Sequence, residues 1–514
     1  MGPMRIRYDR AKPAHGRNAC PAARSPYGSG MQRSRRPAPL ALLFLFLAAP
    51  ALAKEPLQQR VEAKLAEAGP GPRFGLVVAD ADGRELIAIN PDQRFIPASN
   101  TKIFTTAAAF AILKDLDQPD QSGGASVRLE GKDVPDVVLR GHGDARLSSA
   151  PDCVSDCLAT LADAVAARTK RVRDVVGDDS LFPDERWSPG MSWNNIVSRY
   201  GTGISALTLD DNELAIRVVA TSPGAPPKIE LLPYYDIDNR AVTVASGETA
   251  LSAERMPNSR LLRLSGTIAA GAEPEIVRVG IDDPAHFAAW RFKALLEARG
   301  VRVTGKVDVR HRPLGPGDDP KRRGAAPIAR PAEPEALARL TPPPVTEDLV
   351  LINKVSQNLH AELMLRRVAL VNGTGSIADG VAALQAMLER AGVPRTGWDF
   401  SDGSGMSTYN RVAPRTTIRL LRWIAAQPWG TQWRQTLPVG GVDGTLGRRF
   451  RGTPLQGKVF AKTGTINATN ALSGYLTARS GRTLTFSAYA NDVPEDVAAT
   501  RLIDAALVLV AEEN

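Results

Sequence analysis

Two hairpin signatures lie at opposite ends of this chain and predict that its ends share one sheet. Near the start, Phe74-Gly-Leu-Val-Val-Ala-Asp80 and Arg84-Glu-Leu-Ile-Ala-Ile-Asn90 are strand-like runs joined around Asp82-Gly83, a strong turn signal. Near the finish, residues 471–478 and 483–490 flank Ser480-Gly481. Residues 458–466 precede them as a further strand, read as an inner one, and a helical segment over 494–513 follows. The reading is therefore α/β (α+β): a five-stranded antiparallel sheet flanked by helices, one of them the alanine-rich run after Ser99 and others near 355–368, 376–391 and 415–426.

Between these ends the texture changes. Residues 119–345 carry short β-like runs broken by Gly and Pro, among them 137–141, 214–221 and 260–267. Residues 311–344 are proline-rich and end in Thr341-Pro-Pro-Pro344, which sustains neither helix nor central strand and marks a crossing between domains. At 514 residues there is room for more than one core. The expected organisation is a catalytic domain from 54–118 and 346–514, split by a large, mostly β insertion of two smaller domains. These comprise 119–210 with 296–345, and 211–295.

The formal charge of +9 invites a nucleic-acid partner, but its placement excludes one. Residues 1–53 hold nine Lys/Arg against the single acid Asp9, leaving about +1 for everything after them. That segment reads as a removable leader. Arg33, Arg35 and Arg36 precede an apolar run over 40–48, and Ala51-Leu52-Ala53 forms a small-x-small cleavage pattern before Lys54. Export to the periplasm is expected. An uncleaved leader would instead leave the protein peripherally attached to the membrane. A start at Met31 would give a leader of ordinary length, so residues 1–30 are expected not to be translated. In an exported chain, Cys153 and Cys157 form an expected local disulfide. His142, His286, His311 and His360 read as loop or surface residues, and no metal or cofactor is expected.

Three short motifs carry chemistry, each weak alone. In Ser99-Asn100-Thr101-Lys102 the serine and lysine share a helical face, so a lysine of lowered pKa could deprotonate the hydroxyl. The bland reading is an N-cap serine beside an exposed lysine. Ser356-Gln357-Asn358 offers a second hydroxyl to relay a proton and an amide to hold substrate. In Lys462-Thr463-Gly464-Thr465, Gly464 would let a substrate backbone lie against a strand while Lys462 and the threonines hold a carboxylate. A Lys462 ammonium would also depress the Lys102 pKa by like-charge repulsion.

In this order the three motifs resemble the signature of penicillin-binding proteins and related β-lactamases. The chain is similar in particular to the class C low-molecular-mass branch, the D-Ala-D-Ala carboxypeptidase/endopeptidases of family S13. Gly141-His-Gly-Asp144, Ser205-Ala-Leu207 with Asp211-Asn-Glu-Leu214, Asp402-Gly-Ser-Gly-Met-Ser407, residues 437–446, and the long separation of Lys102 from Ser356 add to the likeness. The resemblance implies a serine β-lactamase/transpeptidase-like domain acting on peptidoglycan stem peptides and acylated by β-lactams. It makes Ser99 the nucleophile, Lys102 the acylation base, and Ser356 the relay to the departing D-alanine. Asn358 would orient substrate, Lys462, Thr463 and Thr465 would bind its carboxylate, and the backbone N–H groups of Ser99 and Thr465 would form the oxyanion hole. One departure stands out. The acidic residue that meets the stem's diamino-acid amine in this family is replaced by amides in Met191-Ser-Trp193-Asn194-Asn195. The rival readings are a serine β-lactamase, separated by acyl-enzyme lifetime, and a non-catalytic wall-binding scaffold. A Ser-His-Asp hydrolase is disfavoured, since Asp402-Gly403-Ser404-Gly405-Met406 lacks the second glycine in register.

Overall fold

Strands from the two ends of the chain pair into one antiparallel sheet. The computed structural model describes residues 55–326, 328, 330 and 332–514, so the leader readings fall outside it. The strands are β1 (Arg73–Ala79), β2 (Glu85–Ile89), β3 (Val459–Ile466), β4 (Thr469–Thr477) and β5 (Thr483–Asn491), ordered β3-β4-β5-β1-β2. Register partners include Val77 with Ser487 and Lys462 with Ser473. β5 is buried at eight consecutive positions, from Leu484 to Asn491, because helices cover both faces and leave no solvent side to demand alternation. β3 was expected to be an inner strand. It is the edge, so one side of its backbone faces no other strand of this sheet.

On one face lie α1 (Leu57–Ala66) and α7 (Ala499–Glu513), sharing a core of Val61, Leu65, Leu507 and Val510 with Leu472 and Phe486. The last helix begins at 499 rather than 494: Pro494 and the left-handed Asp492 (φ 60°) keep the preceding residues in turns. On the other face lie α2 (Thr101–Ile112), α3 (Val345–Lys354), α4 (Asn358–Asn372), α5 (Ile377–Arg390) and α6 (Pro414–Ala425). Phe104, Ala107, Met364, Leu365, Leu420 and Tyr489 meet there. Every residue from Thr101 to Phe110 is buried, so α2 is a central helix with no solvent stripe. The helix expected near 355–368 is α4, and a separate helix, α3, ends just before it. α3 stops at Lys354, and Ser356, at φ 64°, turns the chain before Gln357 caps α4 by accepting from Leu359 N–H.

The insertion between α2 and α3 contains helices that the sequence reading did not single out. Leu158–Arg168 and Pro284–Glu297 accompany a five-stranded mixed sheet in which Val175–Pro183 pairs in parallel with Asp136–Arg140 and Val307–Arg312. Residues 213–280 form a three-stranded and a four-stranded sheet. The expected boundary at 295/296 falls inside the helix Pro284–Glu297, whose N-cap is Asp283. We place that boundary near 283. Cys153 and Cys157 are disulfide-bonded. Ala145, Phe182, Ile204 and Ala206 pack on Leu359 and Leu363 of α4, seating the insertion beside the Ser356 turn. No helix among the described residues is long and apolar enough to cross a membrane.

Candidate active site

Ser99 sits in the one-turn helix Ala98–Asn100 that runs into α2. Its hydroxyl caps nothing: it accepts from Lys102 Nζ at 2.9 Å. Ala98 is left-handed (φ 47°), a costly conformation for a residue with a β-carbon, and strain of this kind is concentrated where geometry is functional. Gly405 makes that turn feasible, because a Cβ there would lie 1.9 Å from the Ala98 carbonyl oxygen.

The three motifs converge. Lys102 Nζ also donates to Asn358 Oδ1 (2.6 Å) and the Ser404 carbonyl (2.6 Å). Lys462 Nζ donates to Ser356 Oγ (2.9 Å) and the Thr463 carbonyl (3.0 Å). Asn100 Nδ2, a residue sequence reasoning passed over, donates to the Lys462 carbonyl at 2.9 Å and ties the Ser99 turn to β3. Thr463 Oγ1 donates to Thr445 Oγ1 (2.7 Å), and Lys354 pairs with Asp443 (2.5 Å), so the 437–446 segment braces both β3 and the Ser356 turn. Thr465 is exposed on the same strand.

Gly464 is also required for the packing of the Ser99 turn. A Cβ there would meet Pro97 O at 2.7 Å, Ala471 Cβ at 3.0 Å and Ser99 N at 3.2 Å. Its bare backbone admits that turn to the strand.

Both lysines are fully buried. Desolvation lowers the Lys102 pKa to about 7, with Asp402 and Glu362 pulling it partly back. Lys462 falls well below its usual range through desolvation and, second, the charge of Lys102. The repulsion therefore acts in the opposite direction to the one expected: Lys102 has carboxylates in reserve and keeps its proton longer. At neutral pH a substantial fraction of Lys102 is an unprotonated amine hydrogen-bonded to Ser99.

Beside this centre lies a small pocket lined by Trp187, Met191, Tyr200, Leu359 and Met406 with Asn358. Asn358 Nδ2 donates to the Tyr200 carbonyl (2.9 Å). Trp193, Asn194 and Asn195 form a short turn with Trp193 exposed, but the residues lining the pocket lie on either side of that turn. His360 was expected on a loop or at the surface. It lies buried in α4 between Asp348 and Asp211, turned away from Asn358. His142 is likewise buried, against Glu333.

Residues 57–514 match the model of the D-Ala-D-Ala carboxypeptidase 3 (S13) family. The chain belongs to that family. It is a serine-type peptidase of the D-Ala-D-Ala carboxypeptidase class. It is 33% identical over 479 residues to the D-alanyl-D-alanine carboxypeptidase of Actinomadura sp. (strain R39), covering 87% of this chain and 84% of that protein. It is 26% identical over 434 residues to the D-alanyl-D-alanine carboxypeptidase DacB of Haemophilus influenzae, covering 82% and 86%. The crystal structure of penicillin binding protein 4 from H. influenzae shares the fold, with a TM-score of 0.72 at 22% identity over 88% of this chain and 97% of that one.

Proposed function

We propose that this S13 peptidase removes the terminal D-alanine from peptidoglycan stem peptides ending in D-Ala-D-Ala, and opens D-Ala–diamino-acid cross-links, through an acyl-enzyme on Ser99. The observation that carries this reading is the fully buried Lys102 Nζ held 2.9 Å from the Ser99 hydroxyl, where burial lowers its pKa.

Lys102 Nζ takes the hydroxyl proton as Ser99 Oγ attacks the carbonyl of the penultimate D-alanine. The N–H groups of Ser99 and Thr465 receive the oxyanion, a pair typically worth about 3 kcal/mol per donor. Lys462, Thr463 and Thr465 hold the terminal carboxylate. An incoming carboxylate restores the Lys462 proton by supplying the counter-charge that burial withholds. The proton on Lys102 then reaches the leaving amine through Ser356, whose hydroxyl Lys462 already contacts. The C–N bond breaks, D-alanine departs, and water hydrolyses the ester.

A β-lactam enters by the same attack, but its leaving amine stays tethered, and the acyl-enzyme persists. The H. influenzae penicillin binding protein 4 has been crystallised with a β-lactam, which supports this class of inhibitor here. The leader pattern supports a periplasmic site of action. Release of free D-alanine from a synthetic peptide ending in D-Ala-D-Ala tests the reading. Ser99→Ala should abolish it, and undiminished release by Ser99→Ala would refute it.

A further inference from the structure

Beside Lys102 lie two buried carboxylates, Asp402 and Glu362, that the roles above leave unused. Asp402 is fully buried, and its Oδ1 accepts from Gly405 N–H (2.9 Å) and Asn410 Nδ2 (2.6 Å), while its Oδ2 accepts from Ser407 N–H (2.6 Å). Glu362 Oε1 accepts from Gly403 N–H (3.0 Å) and Ser404 N–H (2.9 Å). Four backbone N–H groups of the 403–407 segment thus point at carboxylates, and the segment turns the Ser404 carbonyl onto Lys102 Nζ at 2.6 Å. Thr105 Oγ1 of α2 donates to the Gly403 carbonyl (2.7 Å), fixing the loop against the helix that carries Lys102.

The charges around Lys102 can be apportioned. From α4 come the neutral Asn358 and Glu362, and Glu362 Oε2 is already paired with the buried Arg366 at 2.9 Å. From β3 comes Lys462, whose pKa is lowered by burial and, second, by the charge of Lys102. From the loop comes Asp402, whose partners are neutral N–H donors. We propose that Asp402 is a positioning residue for Lys102: it folds the 403–407 loop so that the Ser404 carbonyl meets the ammonium, and its charge acts with that of Glu362 to balance it. Burial and the Glu362 charge raise the Asp402 carboxyl to about 6.

The proposal rests on Lys102 as the acylating base and deepens that reading. Without Asp402, Lys102 would lose its proton at lower pH, because the Asp402 charge favours the ammonium and a nearby opposite charge typically holds a pKa by about 1 to 3 units. The test is the pH profile of second-order acylation by a fluorescent penicillin for the intact protein, Asp402→Asn and Glu362→Gln, each checked for a cooperative melt. The acid limb should move toward lower pH by about one unit or more in Asp402→Asn. Glu362→Gln should move it the same way, since it frees Arg366 to repel Lys102, and it carries the test if Asp402→Asn does not fold. A limb that stays fixed while the rate falls at every pH would make the loop merely structural and overturn the proposal. A limb moving toward alkaline pH would overturn it too. Absence of any adduct on the unsubstituted protein would sink the Ser99 reading as well, whereas normal acylation with an unmoved limb sinks only this inference.

Discussion

His360→Gln should flatten the fall of stability at alkaline pH. His360 Nε2 lies 3.0 Å from Asp211 and Nδ1 3.2 Å from Asp348, inside a residue only 3% exposed. Burial disfavours the imidazolium, but its hydrogen bonds to these two carboxylates outweigh it and raise the pKa from 6.5 to about 9. A folded-state pKa above the unfolded one means the folded protein keeps a proton that the unfolded chain gives up. The contribution is therefore complete below pH 6.5 and lost as pH rises through about 9. A shift of this size corresponds to about 3 kcal/mol.

The structural consequence is local. Asp211 sits in three consecutive left-handed residues, Asp210 to Asn212, so the insertion strains its backbone to reach α4 two residues beyond Asn358. Urea unfolding at pH 6 and pH 9.5 is the assay. The unsubstituted protein should lose about 3 kcal/mol more over that interval than His360→Gln, which has no titrating group to lose. Equal losses in the two proteins would refute the reasoning, because the remaining ionisable groups are common to both.

The other predictions concern packing and a buried acid pair. Gly464→Ala drives a methyl toward Pro97 O and Ser99 N, and overpacking of this kind costs about 1–3 kcal/mol. Acylation by a β-lactam should fall about 100-fold, because the displaced atom is the nucleophile's own backbone, and an unchanged rate would contradict the role assigned to this glycine. The facing carboxyls of Asp144 and Asp156 are buried, and three of their oxygens lack a hydrogen-bond partner. Desolvation raises both carboxyls above the ordinary range, and Asp156 raises Asp144 further, so they cost stability as pH climbs from 3.8 through the raised values. Asp156→Asn should accordingly raise the melting temperature at pH 7.5 and leave it nearly unchanged at pH 4; a lower value at pH 7.5 would count against this account.

The sheet was legible because its signals are local. Asp82-Gly83 and Ser480-Gly481 announce hairpins, and the apolar runs beside them are long enough to be strands. The edge position of β3 was not legible, since strand order is set by pairing between segments hundreds of residues apart. The motif residues could be named, but their electrostatics could not. A repulsion between Lys102 and Lys462 is evident once both are placed together; which lysine yields depends on Asp402 and Glu362, about 300 and 260 residues away in sequence from Lys102. The same holds for Gly464, whose neighbours are Pro97 and Ser99, and for Ser356, whose left-handed backbone breaks a segment with ordinary helix propensity. His360 lay in a readable helix, but its carboxylate partners come from α3 and from the insertion.

The central claim is that Ser99 is the nucleophile, and a mass measurement tests it most directly. After incubation with benzylpenicillin and digestion with trypsin, the peptide spanning residues 95–102 should gain the mass of one opened penicillin, and the gain should vanish in Ser99→Ala. An adduct on a different peptide, an adduct that persists in Ser99→Ala, or no adduct on a folded protein would contradict the account.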